Sequence, residues 1–161
     1  MIIRKTKFSD IESVMKIYRS AREFMIATGN KNQWWDGYPP RDLILQDVEN
    51  GESYVVEENG EILAVFLYKF GIDPTYINIE NGAWINDEPY GVIHRIAVKA
   101  KGRGVASFVF DTVYSWCQNV RIDTHMDNEP MKRALSKNGF KYCGVIYLEN
   151  GDPRLAYQKS I

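Results

Sequence analysis

Cysteine is scarce in this chain. Cys117 and Cys143 are the two it has. They fall in helix- and strand-patterned segments, and no Cys-x-x-Cys or His/Cys grouping accompanies them. That excludes a disulfide scaffold and gives no sign of a metal site; it fits buried free thiols in a reducing compartment. Charge of one sign is missing too. Lys and Arg number 20 and Asp and Glu 21, for a net charge of −1, so no global pull toward nucleic acid or an anionic membrane is expected. No apolar run approaches the ~20 residues that cross a bilayer. No internal repeat, linker or low-complexity segment interrupts the chain. Met1-Ile2-Ile3-Arg4-Lys5 reads as a strand start and not a secretory leader, so the cytoplasm is the expected compartment. What remains is 161 residues, 45% hydrophobic. That is the size of one ordinary domain, expected over 1–161, with enough apolar side chains for a real core.

The periodicity supplies the elements. Ile2 to Lys5 reads as a strand. Ser9 and Glu12 form a capping-box pattern ahead of Ile11, Val14, Met15, Tyr18 and Met25, which recur at helical spacing to about Ala27. A polar-aromatic loop follows, carrying Gln33, Trp34, Trp35 and Tyr38. Arg41 to Asn50 reads as a second helix. Tyr54-Val55-Val56 and Ile62 to Phe70 are strands joined by the hairpin turn Asn59-Gly60. Residues 71–89 show turn signals but no clear period. A strand over 90–98, a helix over 105–118, a strand over 120–124, a helix over 130–137, a strand over 141–148 and a final strand from Leu155 to Lys159 complete the pattern. The order is β-α-α-β-β-β-α-β-α-β-β. It predicts an α/β (α+β) fold, a mixed sheet with helices on both faces.

The most informative stretch is 92–106. An apolar strand, Val92 to Val98, ends in a basic, glycine-broken turn, Lys99 to Gly104, and a helix starts at once. This arrangement points backbone N–H groups at an anion. Gly102 and Gly104 allow close approach and positive φ, and Lys99, Lys101 and Arg103 add charge. No Gly-Lys-Ser/Thr closes the turn, so it is not a triphosphate loop, and the third glycine and downstream acid of a dinucleotide fingerprint are missing. Lys101-Gly102-Arg103-Gly104-Val105-Ala106 resembles the acyl-CoA pyrophosphate loop of the GCN5-related N-acetyltransferases, the GNAT family. Lys101 stands where that family has Arg or Gln. A second signature follows in order: the strand Val120 to Thr124, then Asn128, a short helix, and Gly139-Phe140.

The resemblance implies a central, mostly antiparallel twisted sheet in which the strand at 92–98 splays from that at 120–124. It implies acetyl-CoA or another acyl-CoA as co-substrate in the wedge between them, and no metal. Backbone groups of Ile96, Ala97 and Val98 would pair with the pantetheine arm. The N–H groups of Gly102, Arg103, Gly104, Val105 and Ala106 would hold the pyrophosphate, with Lys101 and Arg103 as counter-charge. Asn128 would contact pantetheine; read locally it is also a good helix cap.

Acetyl transfer needs a positioned thioester, a polarised carbonyl, a neutral amine and a thiolate that can leave. His94 is the candidate base, directly or through water, because histidine changes protonation near neutral pH; the alternative is a hydrogen-bonded sheet histidine. It matches the second histidine of the His-x-His pair of arylalkylamine acetyltransferases, with Val92 in the first place. Leu135 occupies the position of the usual acid tyrosine. Tyr147, and beside it Tyr142, are candidates on the next strand. Trp34, Trp35 and Tyr38 suggest an acceptor lid or wall, with Trp84, Glu80 and Tyr76 opposite. Asp123, His125 and Asp127 alternate onto one face if the strand continues, as solvated residues or an acceptor-amine contact, their spacing not being zinc-like. The expected activity is N-acetyl transfer to a primary amine, preferably of a small molecule, by direct attack in a ternary complex. Peptide or protein acetylation, and a non-catalytic acyl-CoA-binding sensor, are the alternatives. A homodimer through the late strands is a further expectation.

Overall fold

The computed structural model describes residues 1–99 and 101–161. The basic turn expected over Lys99–Gly104 contains Ala100, which lies outside the described residues. Seven strands form one sheet: β1 (Ile2–Lys5), β2 (Ser53–Glu58), β3 (Glu61–Phe70), β4 (Gly91–Val98), β5 (Asn119–Thr124), β6 (Lys141–Tyr147) and β7 (Pro153–Ser160). Their spatial order is β1-β2-β3-β4-β5-β7-β6. Every neighbouring pair is antiparallel except β4 with β5. Four helices cover the sheet: α1 (Ile11–Ala27), α2 (Arg41–Glu49), α3 (Val105–Cys117) and α4 (Glu129–Lys137).

The helices divide between the two faces because their apolar stripes do. Ile11, Val14, Ile17 and Tyr18 of α1 and Ile44 and Val48 of α2 pack on Val55, Val65 and Ala97. Val105, Val109, Phe110 and Val113 of α3, with Leu135 of α4, pack on Phe66, Ile93, Val120 and Ile122. A smaller cluster joins Tyr76 and Tyr90 to Val92, Ile146 and Ala156. The start of α1 differs from the capping box read at Ser9. A short 3₁₀ turn, Phe8–Asp10, precedes the helix, and the Asp10 carboxylate accepts the Lys7 backbone N–H at 2.8 Å and the Arg4 guanidinium at 2.8 Å. Two charge-assisted bonds on Asp10 outcompete a neutral serine cap. The segment 71–90 is mostly irregular, with a 3₁₀ turn at Pro74–Tyr76 and a single bridge from Glu80 to Val145.

Strand β4 is bulged. Val65 faces Ala97 and Leu67 faces His94, so Arg95 and Ile96 together oppose Phe66. Arg95 sits at φ 51°, a left-handed conformation that costs a non-glycine residue about 1–2 kcal/mol. Ile93 and Ile96, three residues apart, therefore pack into the same α3-side core, where strict alternation would set them on opposite faces.

Leu135, at the position where the family has its tyrosine, is fully buried among these side chains. Leu135→Ala should destabilise the protein by about 2–5 kcal/mol, measured as a drop in the urea midpoint at constant slope.

Candidate functional site

Strands β4 and β5 run parallel only briefly. Gly91 pairs with Val120 and Val92 with Arg121. Beyond that rung, among the described residues, no strand lies beside the edge of β4 turned away from β3. Two clefts open along this edge. The first, of about 260 Å³, is lined by Ile96, Ala97 and Val98 of β4, by Lys101, Gly102, Gly104, Val105 and Ala106 at the head of α3, and by Asn128. Gly102 and Gly104 have φ of 78° and 71°. A Cβ at either would meet no atom within 4 Å, so the glycines serve conformation and leave the space before the helix clear. No side chain caps α3. The first-turn residues Val105, Ala106 and Ser107 line the cleft, and a helix N-terminus at that place suits a pyrophosphate.

The charges around this cleft differ in part from the expectation. Lys101 places its ammonium 4.5 Å from the Phe24 ring centre, and burial lowers its proton affinity. Arg103 does not line the cleft; its guanidinium bonds Glu58 at 2.9 Å on the β2–β3 hairpin. Lys137, from the last turn of α4, lines it instead. Asn128 is committed within the protein: Oδ1 accepts the Met131 N–H at 3.1 Å, capping α4, and Nδ2 donates to Gln33 Oε1 at 2.9 Å.

The second cleft, of about 690 Å³, shares Met25, Ile96, Asn128 and Met131 with the first. His94 and Arg95 lie on its floor with Asp73, Asp123 and Thr124, and Trp34, Trp35 and Tyr38 form a wall. His94 Nε2 and Asp73 Oδ2 are 2.7 Å apart. The other Asp73 oxygen accepts the Thr75 N–H at 2.9 Å and its hydroxyl at 2.7 Å. Burial pushes the Asp73 carboxyl up, but the bonds from His94 and Thr75 outweigh it and hold the group at about 2. An ionised carboxylate can only accept, so His94 Nε2 carries the proton and a neutral ring keeps its lone pair on Nδ1. Asp123 is opposite in behaviour: burial raises its carboxyl against the pull of His94, Arg154 and Tyr76. Tyr76 Oη donates to Asp123 Oδ1 at 3.2 Å.

The aromatic loop is tied down at Gln33. Its side-chain carbonyl accepts from Asn30 at 2.7 Å as well as from Asn128, and its backbone carbonyl accepts from Arg154 at 3.0 Å. Trp34 is buried against Tyr18 and Tyr38, while Trp35 is 61% exposed. Like Arg103, the sequence candidates Trp84, His125 and Tyr147 stand outside both clefts, as do Tyr76, Glu80, Asp127 and Tyr142. Trp84 packs over the Arg121 guanidinium at 4.2 Å and donates to the Tyr76 carbonyl. His125 lies past the end of β5 at Thr124, so the strand alternation that grouped it with Asp123 and Asp127 stops short; its Nδ1 accepts the Asp127 N–H. Tyr147 is 45% exposed on β6. Conversely, Asp73, Gln33, Arg154 and Lys137 were not singled out from the sequence. Asp73 offered only a turn signal before Pro74.

Among the described residues, no group of three or more His, Cys, Asp or Glu side chains is placed to hold a metal ion, and no helix is long and apolar enough to cross a membrane. The profile described as "Acetyltransferase (GNAT) family" matches residues 11–140. No curated protein matches. Among solved structures, the chain is similar to an acetyltransferase of the GNAT family from Streptococcus agalactiae, at 33% identity and TM-score 0.90, covering 99% of this chain and 95% of that one. A GNAT-family acetyltransferase from Listeria monocytogenes shares the fold at 17% identity and TM-score 0.72, over 99% and 94% of the two chains. A ribosomal-protein-alanine N-acetyltransferase from Brucella melitensis does so at 16% and 0.65, over 100% of both.

Asp73 titrates lower when folded, so its stabilising contribution is full above the ordinary carboxylate range and disappears as pH falls from 3.8 toward about 2. Wild type should therefore lose about 2 kcal/mol more than Asp73→Asn across that window, from ~1.4 kcal/mol per pKa unit. Urea titrations at several acidic pH values measure it.

Proposed function

The chain belongs to the acetyltransferase (GNAT) family, and on that footing we propose that it moves an acetyl group from acetyl-CoA to the primary amine of a small molecule by direct attack in a ternary complex. The observation that carries this reading is the meeting of two clefts at the open edge of β4, with the His94–Asp73 pair on the floor of the second. The first cleft suits acetyl-CoA. Ile96, Ala97 and Val98 offer strand-like backbone groups to its pantetheine arm. The N–H groups from Gly102 to Ala106, with Lys101 and Lys137 beside them, suit its pyrophosphate. Asn128 holds α4 and the Gln33 loop in place around that arm.

The acceptor enters the second cleft along Trp34, Trp35 and Tyr38, whose rings suit a compact, partly apolar amine. An amine arrives mostly as an ammonium, and Asp123 is placed to hold it. His94 Nδ1 takes the proton from nitrogen, directly or through a water, while Asp73 fixes the ring and balances the imidazolium that results. The freed lone pair forms the new C–N bond as the C–S bond of the thioester breaks, and the second proton that nitrogen sheds on becoming an amide passes to solvent water. The electrons of that bond leave on sulfur as a thiolate. Leu135 has no proton to give, and a thiolate is stable enough to leave without one. Trp84, His125 and Tyr147 have no part in this chemistry, and the compartment proposed for it is the cytoplasm.

The missing tyrosine also suits a domain that binds acyl-CoA without turnover, and thiol release decides between the two. Calorimetric titration should show micromolar binding of acetyl-CoA and none of ATP or NAD. Gly104→Asp should abolish that binding through backbone strain and charge while the fold survives; unchanged affinity would overturn the loop assignment. In an amine screen, His94→Ala should lower kcat about 10²–10³-fold with acetyl-CoA affinity retained.

A further inference from the structure

The bulge in β4 decides which face His94 occupies. With strict alternation from Val92 to Val98, His94, Ile96 and Val98 would share one face. With Arg95 and Ile96 both opposite Phe66, the side chains of Ile93, Ile96 and Val98 go to the α3-side core. His94 is released to the opposite face, beside Asp73 and 6.0 Å from the Tyr76 ring. A one-residue slip would undo this for everything on one side of the bulge.

The residue at the bulge is an arginine at φ 51°, and not glycine. Its companions at positive φ among the non-glycine residues, Asn59, Asn81 and Gln118, lie in turns or at a helix end. Among the described residues, Arg95 is the one of these that sits inside a strand. Its guanidinium is fastened to Asp47 of α2 by three contacts: Nη2 to Oδ1 at 2.8 Å, Nη2 to Oδ2 at 2.7 Å, and Nε to Oδ2 at 3.2 Å. Both side chains are largely buried, at 15% and 7% exposure. Neither is hydrogen-bonded to His94 or Asp73, although Asp47 feels the charge of His94. Because the pair is two-pronged, it fixes the direction of the Arg95 side chain as well as its distance.

We propose that the Arg95–Asp47 pair is a positioning device, which holds the β4 bulge in its left-handed conformation and so keeps His94 turned toward Asp73 and the acceptor cleft. Its kinetic consequence rests on the amine acetylation proposed above; its structural consequence does not. The pair acts on backbone geometry, so glycine, which adopts positive φ freely, replaces it better than alanine does. A pair that merely added stability or charge would show no such preference.

The test compares two double variants, each carrying Asp47→Leu so that no carboxylate is left buried without its partner. Arg95→Ala/Asp47→Leu should lose at least tenfold in kcat. Arg95→Gly/Asp47→Leu should keep at least fivefold more kcat than the alanine double variant at similar thermal stability. The chain has 2 histidines, so nitrogen-15 spectra of the rings resolve His94 whether or not turnover is found. The His94 ring N–H bonded to Asp73 should persist in the glycine variant and vanish in the alanine one. Equal kcat and equal His94 signals in the two variants would overturn the proposal. Absence of wild-type turnover would sink the amine reading and leave the spectra to decide this one. A foldable glycine variant beside an unfolded alanine one supports it. If neither folds, Asp47→Asn decides through the spectra: a weakened His94 ring N–H signal supports the device, and an unchanged one overturns it.

Discussion

Two rungs of parallel pairing between β4 and β5 set the terms for the rest of the molecule. A strand edge has backbone donors and acceptors that must be satisfied, by another strand, by water or by a ligand. Here β4 and β5 are joined at Gly91 and Val92 and then part. Among the described residues, no strand lies beside the rest of that edge of β4. That stretch faces a gap walled by α3, α4 and the loop around Gln33. The uncapped start of α3 lies at one end of the gap and the His94–Asp73 pair at the other.

Around that gap the protein handles its buried charge by pairing. Asp73 is held ionised by three donors, which fixes the tautomer of the histidine beside it. Asp47, whose carboxyl burial pushes up, is matched by Arg95. Arg121 is sandwiched between Trp84 and Tyr90, at 4.2 and 4.0 Å, with a short bond to the Asn86 carbonyl. This sandwich sits under the irregular 71–90 segment and gives it an anchor. Asp73 and Tyr76, which belong to that segment, thereby meet strands β4 and β5 at fixed places.

Much of the architecture was legible in the sequence, because each element carries its own period and stop signal. The order of strands and helices, the hairpin at Asn59-Gly60, the Asn128 cap and the Gly102/Gly104 turn all rest on local rules. The pairing of β4 with β5 and their divergence followed from resemblance and not from pattern. The site was legible in halves. Much of the first cleft is lined by Ile96 to Val98, Lys101, Gly102 and Gly104 to Ala106, near neighbours in sequence, so that part of its lining could be read in order. The second draws on seven separate stretches of chain, and its key partner, Asp73, lies 21 residues from His94 in a stretch without periodicity. The bulge at Arg95 was invisible for a related reason: a seven-residue apolar run has no mark for one residue too many. Trp84 and Tyr147 look like site aromatics in sequence, yet the fold uses one to cover a guanidinium and leaves the other on an outer strand. Their roles depend on which side of the sheet the chain returns along.

The location of the open edge has a consequence for what the protein admits. An unpaired strand at the margin of a sheet is a template for any passing polypeptide and a route to aggregation. The same unpaired groups in the interior of a sheet, between strands that are already joined at one end, are shielded from that fate. A second polypeptide strand needs ~4.8 Å of lateral room and space on both faces for its side chains. A thin, unbranched chain bearing amide groups needs only the first. The fork between β4 and β5 therefore suits a narrow chain better than a further strand, and it keeps its unpaired groups off the sheet's margins, where aggregation starts.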